Sequence, residues 1–265
     1  SACVLTFDGV GEWATSSIGT GNGRRVELLK EMRYPHSIGL LYSAFTVAAG
    51  FKVNSGEYKL MGLAPFGQPV LKDRILGEMI ELRQDGSFTV DLRYFDYLAG
   101  RNMTNRRFDR FVGGPPRHPD EPITQRHCDL ARSIQEVIEE IVLRIARHGH
   151  NLTGESRAVL GGGVALNCVA NGRLLREGPF DEVWVQPAAG DAGSAAGAAL
   201  WGWHEVFEGE RCDLRMPDGM QGALLGPAIR GDEIAAELTA AGRPFERLTD
   251  PAVRADRIAR LLAEG

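Results

Sequence analysis

The sequence contains few of the residues that mark disulfide-bonded, zinc-binding or membrane proteins. It has four cysteines, which are far apart and include no Cys-x-x-Cys pair: Cys3, Cys128, Cys168 and Cys212. This spacing argues against a disulfide framework or a zinc knuckle and favours a reducing compartment, which we expect to be the cytoplasm. No stretch approaches the about 18 strongly apolar residues that a membrane span needs, so we expect no membrane contact.

Basic residues are too few to suggest a nucleic-acid-binding surface. Thirty Lys and Arg stand against 35 Asp and Glu, which gives a formal net charge of −5. This balance argues against a nucleic acid as partner. The chain has no signal peptide and no initiator Met, and a strand pattern already begins at Cys3. We therefore expect a piece of a longer chain whose upstream and downstream parts are missing.

Glycine, in contrast, is abundant, and its positions carry most of the information. The chain has 33 glycines in 265 residues, together with 43% hydrophobic and 25% charged residues. This composition is typical of a globular protein, and the length allows one large domain or two smaller ones. Several glycines follow expected strand ends, which is where an open α/β sheet binds its ligands.

The first 33 residues have the pattern of three antiparallel strands. Cys3–Phe7 is an apolar run, Glu12–Gly19 follows with Trp, Thr and Ile, and Arg24–Met32 returns. We expect Gly21-Asn22-Gly23 to supply the positive φ angles of a tight hairpin turn. Three strands at the start of a chain that later alternates strand and helix predict a ribonuclease-H-like α/β unit, a mixed sheet with flanking helices.

The rest of the chain alternates helices and strands. We expect, in chain order, helices Ser37–Phe51, Glu57–Ala64 and Asp129–Arg147, strand Ala158–Leu160, helix Val164–Arg176, strand Asp181–Gln186 and helix Ala192–Phe207. Residues 84–122 are irregular and contain a Gly-Gly-Pro-Pro break, which favours a surface insertion or lid. The C-terminal segment is expected to be a linker with two helices, Asp232–Ala241 and Val253–Ala263.

Three segments that follow expected strand ends contain the residue types of a metal–phosphate site. Carboxylates bind divalent cations, and glycine-rich turns let backbone amides approach the oxygens of a nucleotide. The predicted metal ligands are Asp8 and Asp191. The predicted nucleotide-binding residues are Gly9, Gly11, Gly161, Gly162, Gly163 and Asn167, the last through a hydrogen bond to a ribose or a base.

Each segment also has a purely structural interpretation. An Asp-Gly pair such as Asp8-Gly9 is common in turns, and a glycine run such as Gly161–Gly163 allows close helix–sheet packing. Asp191 is a suitable N-cap for the helix that follows it. Two carboxylates and two glycine-rich turns at one expected sheet edge together favour the functional interpretation.

Several motifs resemble those of a known enzyme family. They are Gly162-Gly163-Val164-Ala165-Leu166-Asn167-Cys168, Glu57-Tyr58-Lys59-Leu60-Met61-Gly62-Leu63-Ala64-Pro65, Gln186-Pro187-Ala188-Ala189-Gly190-Asp191, Asp8-Gly9-Val10-Gly11-Glu12 and Leu225-Gly226-Pro227. They resemble motifs of the O-carbamoyltransferases of the nodulation and antibiotic-tailoring type, in the actin-like ATPase (ASKHA) superfamily. The resemblance implies that residues 1–208 are the second half of an actin-like domain and that residues 209–265 are a linker and the start of a YrdC-like domain.

The resemblance also implies an activity, ATP-dependent O-carbamoyl transfer. In the family, ATP and carbamoyl phosphate give a carbamoyl-adenylate in the YrdC-like domain. The actin-like domain then transfers the carbamoyl group to a hydroxyl of a small molecule. An iron-type or other divalent ion is held by two His and two Asp; Asp8 and Asp191 match the Asp positions, and Gly162, Gly163 and Asn167 match the adenylate-binding loop.

Two parts of the family's pattern are absent from this sequence. The metal-binding histidine pair lies upstream in the family, and the signature of the YrdC-like domain is expected beyond Gly265. We therefore expect the chain alone to lack turnover. The acceptor and the general base stay open; His36 is available as a base, but a capping or surface role is favoured for it. A tRNA threonylcarbamoyl transferase-like protein and a non-catalytic nucleotide-binding domain remain as alternatives.

Overall fold

A computed structural model describes residues 1–211 and 221–265, which belong to two separate compact units. Five strands form the sheet of the first unit: β1 (Ala2–Phe7), β2 (Ala14–Asn22), β3 (Arg25–Arg33), β6 (Arg157–Gly161) and β7 (Glu182–Val185). The first three are antiparallel to one another, while β6 runs parallel to β1 and β7 parallel to β6, in the order β3-β2-β1-β6-β7. The predicted mixed α/β sheet is confirmed.

The central position of β1 determines what lies at the edge of the sheet. Its side chains alternate, and Cys3, Leu5 and Phe7 are buried because helices cover that face. Thr6 of β1 pairs with Gly161 of β6. Since neighbouring parallel strands end side by side, the residues that follow β1 and β6 lie at the same edge.

The turn between β2 and β3 differs from the prediction. Asn22 pairs with Arg25, so the turn consists of Gly23 and Arg24. Of the three residues Gly21-Asn22-Gly23, only Gly23 has a positive φ, of 61°. The expectation of positive φ angles at Gly21 and Asn22 is wrong, because both residues continue the ladder of β2.

Several helices of the first unit lie where the apolar patterns predict them: α1 (Ile38–Ala48), α2 (Glu57–Leu63), α6 (Cys168–Glu177) and α7 (Ser194–Trp201). The short helix α3 (Lys72–Arg74) was not predicted. α1 begins after Ser37, whose Oγ accepts a hydrogen bond from the N–H of Leu40 at 3.0 Å. An N-cap of this kind satisfies one of the unpaired donors of the first turn.

Helix α5 (Gln125–Thr153) is longer than the predicted segment at both ends. Its apolar stripe, which includes the buried residues Leu130, Ile134, Ile138 and Ile141, packs on β1 and β2. The added turns follow from local signals, because Thr124 and His127 form a capping box before the stripe. At the other end Gly154 adopts a left-handed φ of 68°, which terminates the helix.

The prediction of a surface insertion or lid at residues 84–122 is wrong. This region and its flank contain a two-stranded antiparallel sheet, β4 (Ile80–Leu82) and β5 (Phe88–Val90), and helix α4 (Arg106–Val112). Its aromatic side chains belong to the core: Phe88, Tyr94, Phe95, Phe108 and Phe111 are at most 5% exposed. These aromatics are spaced irregularly among glycines and prolines, so they produce neither a helical nor a strand period.

Arg117 joins the end of this segment to α1. Its side chain is 8% exposed, and Nε donates to the carbonyl of Ala49 at 2.9 Å. Nη1 donates to three further backbone carbonyls, those of His118, Pro119 and Glu121. Backbone carbonyls therefore surround the buried guanidinium and hold residues 117–121 against the end of the helix.

Among the described residues of the second unit, two α-helices lie within two residues of the predicted positions: α8 (Gly231–Ala240) and α9 (Pro251–Glu264). α9 begins with Pro251 after Asp250, whose Oδ1 accepts from the N–H of Ala252 at 2.8 Å. Both features favour the first turn of a helix.

The structure also bears on the cysteines and on membrane contact. Cys3, Cys128 and Cys168 are free thiols, while Cys212 lies outside the described residues. Within residues 1–211 and 221–265, none of the helices combines the length and the apolar character that crossing a bilayer requires.

Candidate active site

The three predicted segments lie side by side at one edge of the sheet. The N–H of Gly162 donates to the carbonyl of Ala189 at 2.8 Å. A Cβ built on Gly163 would lie 3.6 Å from Oδ1 of Asp8, and one built on Gly190 would lie 3.7 Å from the Cα of Gly163. The glycine loop therefore lies between the residue that follows β1 and the loop that follows β7.

Two glycines of these loops are required by the backbone. Gly162 has a φ of 88°, and a side chain there would collide with the carbonyl oxygen of Phe7. Gly11 has a φ of 56°, and its Cβ would lie 2.6 Å from the carbonyl oxygen of Ala14. Gly161 is different, because no described atom lies within 4 Å of the position of its Cβ.

Asp8 lies in a loop that the start of α1 anchors. Its Oδ1 accepts from the N–H of Gly9 at 2.7 Å. Ser37, the N-cap of α1, donates through Oγ to the carbonyls of Asp8 and Gly9. Gly39 allows this contact, since a Cβ there would lie 2.7 Å from the carbonyl oxygen of Asp8. Sequence reasoning missed Ser37 and Gly39, although Ser before an apolar helical run is a recognisable signal.

Asp191 does not cap a helix, so the N-cap interpretation is wrong. It is the first residue of a 3₁₀ turn, Asp191–Gly193, and Gly193 occupies the N-cap position of α7. Its side chain is exposed and has no hydrogen bond or ion pair within the part of the chain that the structure describes. The carboxylate of Asp191 is therefore available to a ligand, and its role in metal binding stays a prediction.

Asn167 begins α6 instead of lying one turn inside a helix, as the sequence pattern suggested. The glycine loop leads into a 3₁₀ turn, Gly163–Leu166, and Asn167 is the N-cap of α6. Its Oδ1 accepts from the N–H of Ala170 at 3.0 Å, and its amide contacts the buried Gln135 of α5. Its proposed contact with a nucleotide stays a prediction.

His36 has a structural role. Its Nδ1 accepts from the N–H of Val90 at 3.1 Å, which ties β5 to the segment before α1. Burial, followed by the charge of Arg83, holds the pKa of His36 below its usual value. The lone pair at Nδ1 is already used, so the general base remains unassigned.

The stability of the first unit is expected to depend on pH through His36 and His127. Burial and the neighbouring Arg126 and Arg117 also lower the pKa of His127. Because the unfolded chain binds these protons more tightly, stability is complete above about pH 6.5 and falls as the pH drops towards the lower folded-state pKa values. We expect the urea midpoint to be constant from pH 8 to 7 and to fall between pH 6.5 and 5.5.

The variant His36→Gln/His127→Gln tests this expectation by urea denaturation. At position 36 a glutamine oxygen can still accept a hydrogen bond from the N–H of Val90. At position 127 glutamine is a favourable N3 residue of the capping box. Neither glutamine titrates, so the midpoint of the double variant should change less over the same pH range. Equal pH dependence in the two proteins would contradict the assignment.

A sequence profile described as "Carbamoyltransferase N-terminus" matches residues 1–200. The chain belongs to the carbamoyltransferase family. The matched range contains all of the strands of the five-stranded sheet and the three loops at its edge.

Individual relatives agree with this assignment. The chain is 53% identical over 237 residues, or 89% of its length, to an uncharacterized protein, sll1178, of Synechocystis sp.. It is 36% identical over 255 residues, or 95% of its length, to nodulation protein NolNO of Sinorhizobium fredii. It is 26% identical over 171 residues, 63% of its length, to a 3'-hydroxymethylcephem-O-carbamoyltransferase of Amycolatopsis lactamdurans.

The chain spans less than half of the length of these relatives. It covers 38% of the Synechocystis protein, 35% of the nodulation protein and 29% of the cephem carbamoyltransferase. The shared segment therefore establishes family membership and no more than that.

Proposed function

We propose that this site transfers a carbamoyl group from carbamoyl-adenylate to a hydroxyl group of a small molecule. The adenylate would be formed from ATP and carbamoyl phosphate by a YrdC-like domain. The observation that carries the proposal is the position of the glycine loop between the carboxylate of Asp8 and Gly190. It brings a nucleotide-binding type of loop and a cation-binding type of side chain together.

The strand order supports an actin-like (ASKHA) fold for the first unit. A meander of three antiparallel strands followed by two parallel strands, with β1 in the centre, is the order expected of a ribonuclease-H-like unit. We propose that residues 1–208 form the second half of such a domain, and that 209–265 are a linker and the beginning of the YrdC-like domain. The reducing compartment predicted from the cysteines suggests that the protein works in the cytoplasm.

The glycine loop would hold the AMP part of the adenylate. Gly162 and Gly163 leave the backbone free of side chains beside Asp8, and Gly9 and Gly11 do the same on the β1 side. Exposed backbone at the end of a strand is suited to oxygen atoms of a nucleotide. Gly161 and Asn167 would complete this part of the site.

A divalent ion of iron or another metal fits the donor chemistry of the site in part. Asp8 and Asp191 would supply two oxygen ligands, which suit a hard divalent cation. In the described residues no cluster of three or more His, Cys, Asp and Glu side chains is arranged to hold a metal. When bound, such an ion acts as a Lewis acid towards the carbonyl oxygen that becomes negative.

In the transfer, one bond to the carbamoyl carbon forms and one breaks. The acceptor oxygen forms a bond to the carbamoyl carbon, the bond from that carbon to the phosphate oxygen breaks, and AMP leaves with the electron pair. The acceptor's hydroxyl proton passes to a base. Backbone N–H groups beside the developing oxyanion would stabilise the tetrahedral centre.

The proposal is tested in a chimera in which this chain replaces the matching segment of the Synechocystis relative. The chimera receives ATP, [14C]carbamoyl phosphate and an acceptor panel of a 3'-hydroxymethylcephem, an aminoglycoside and a macrolide. Asp191→Asn removes the charge of a predicted metal ligand, and we expect it to reduce label transfer at least 100-fold, the size of effect seen when an electrostatic group is lost.

Asp181→Asn is the matched control. Asp181 is exposed and precedes β7, at the end of the strand opposite to Asp191, so its neutralisation should leave transfer unchanged. Full transfer by Asp191→Asn would refute the proposed role of this carboxylate. Labelling of bulk tRNA would instead favour the threonylcarbamoyl alternative, and AMP binding without any transfer would favour a non-catalytic nucleotide-binding domain.

A further inference from the structure

The amide of Asn167 is held by a partner on another helix. Gln135 Nε2 donates to Asn167 Oδ1 at 3.1 Å, and Asn167 Nδ2 donates back to Gln135 Oε1 at 3.0 Å. Gln135 is fully buried in the middle of α5, and Asn167 is 9% exposed. The two amides thus form a reciprocal pair that joins α5 to the first residue of α6.

The orientation of the Asn167 amide in this pair follows from a backbone donor. The N–H of Ala170 donates to Asn167 Oδ1 at 3.0 Å. A backbone N–H only donates, so the atom that faces it has to be the carbonyl oxygen of Asn167 and not its NH₂ group. With Ala170 and Gln135 as donors, both lone pairs of this oxygen are used.

The other hydrogen bonds of Gln135 require the same orientation of the two amides. The hydroxyl of Tyr42 donates to Gln135 Oε1 at 2.9 Å, and Gln135 Nε2 donates to Glu139 Oε1 at 3.0 Å. The second oxygen of Glu139 accepts from Arg173 at 3.1 Å. Burial, assisted by the charges of Glu57 and Glu139, raises the pKa of Tyr42, so the hydroxyl keeps the proton that it donates. Every donor and acceptor of Gln135 therefore has a partner.

One polar hydrogen of Asn167 remains. Nδ2 carries two hydrogens, and within the described residues only one of them has an acceptor, on Gln135. Rotating the amide to offer its oxygen instead would break the contacts with Ala170 and Gln135 together. Asn167 can thus meet a ligand as a donor but not as an acceptor.

We propose that Gln135 is a positioning residue, which fixes the amide of Asn167 so that it donates one N–H to an acceptor atom of the bound nucleotide. The inference rests on the proposed function, because that function places the nucleotide at the glycine loop. The ligand atom that fits is a ribose or phosphate oxygen or an unprotonated ring nitrogen. Tyr42, Glu139 and Arg173 hold Gln135 in turn.

Calorimetric titration with AMP, a product of the proposed reaction, tests the inference on the 265-residue chain. Gln135→Met keeps the volume of the side chain and removes all four of its hydrogen bonds, so the Asn167 amide is held only by the N–H of Ala170. We expect AMP to bind about five- to tenfold more weakly, the equivalent of one hydrogen bond of about 1 kcal/mol. Tyr42→Phe removes a single donor to Gln135 and should weaken binding about twofold.

Gln125→Met is the matched control for these variants. Gln125 is an exposed residue of the same helix, and it lies ten positions before Gln135, which places it about 15 Å away along the helix. Its AMP affinity should equal that of the unaltered protein. Loss of affinity in Gln125→Met as large as in Gln135→Met would mean a general effect on α5 and would overturn the inference.

A spectroscopic readout separates positioning from a loss of stability. In ¹⁵N-resolved spectra, the side-chain amide of Asn167 is identified by its absence from Asn167→Asp. We expect AMP to shift one of its two hydrogens in the unaltered protein and in Tyr42→Phe, but not in Gln135→Met. An identical shift in Gln135→Met would overturn the inference.

The outcomes also distinguish this inference from the proposed function. If the unaltered chain binds AMP and Gln135→Met binds it equally well, the positioning role is refuted and the proposed function stands. If the unaltered chain does not bind AMP at all, the nucleotide site and the positioning role are refuted together.

Discussion

Replacing Gly162 with alanine is expected to destabilise the first unit strongly and to abolish AMP binding. Its φ of 88° is left-handed, which costs a residue with a Cβ about 1–2 kcal/mol. The methyl group would also collide with the carbonyl oxygen of Phe7, and relieving such overpacking costs about 1–3 kcal/mol. The free energy of unfolding should thus fall by about 2–5 kcal/mol.

Chemical denaturation followed by tryptophan fluorescence measures this loss, because all four tryptophans lie within residues 1–211. Gly161→Ala is the control, since Gly161 is not left-handed and no described atom lies near the position of its Cβ. It should stay within about 1 kcal/mol of the original protein. If Gly162→Ala is as stable as Gly161→Ala and binds AMP as well as the original protein does, the close contact of the loop with β1 is refuted.

Replacing Arg117 with methionine should reduce stability by about 3–4 kcal/mol. The substitution removes a donor from the backbone carbonyls of Ala49, His118, Pro119 and Glu121, of which that of His118 keeps the N–H of Glu121. Each of these hydrogen bonds is worth about 1 kcal/mol, and acceptors that stay buried without a donor add to the cost. The loss is measured from the urea midpoint by tryptophan fluorescence, with the pH held at 7.5.

Two further variants identify the cause of this loss. Arg110→Met removes an exposed arginine that has no hydrogen bond or ion pair among residues 1–211 and 221–265, and it should change stability by less than about 0.5 kcal/mol. Arg117→Lys keeps the charge, but one ammonium group cannot reach both the carbonyl of Ala49 and the carbonyls of residues 118–121. It should therefore recover less than half of the lost free energy of unfolding. Equal stability of Arg117→Met and Arg110→Met would contradict the account.

Much of the fold could be predicted because its signals are periodic and local. The apolar stripe of α5 and the alternation of β1 follow directly from the 3.6- and two-residue repeats. The three loops of the site were found because glycine and aspartate follow strands that meet at one edge. The core role of residues 84–122 was not predictable in this way, since its aromatic residues are brought together by turns that have no period.

The partners of the site residues were also hidden, because they depend on contacts between distant parts of the chain. Gln135 lies on the buried face of α5, three residues before Ile138 and four after Ala131. A polar residue at such a position signals a buried hydrogen bond, but the sequence does not say with which residue. Asn167, 32 positions away, becomes its partner only when α6 packs on α5.

The position of β3 at the border of the sheet has a consequence for the behaviour of the protein in concentrated solution. Such a strand offers main-chain groups to a strand of another molecule, and Val26 and Leu28 of β3 are 55% and 60% exposed. Charged side chains alternate with or follow these residues along the strand: Arg25, Glu27, Lys30, Glu31 and Arg33. Protection against aggregation through strand pairing therefore comes from the charged side chains of the edge strand β3 itself.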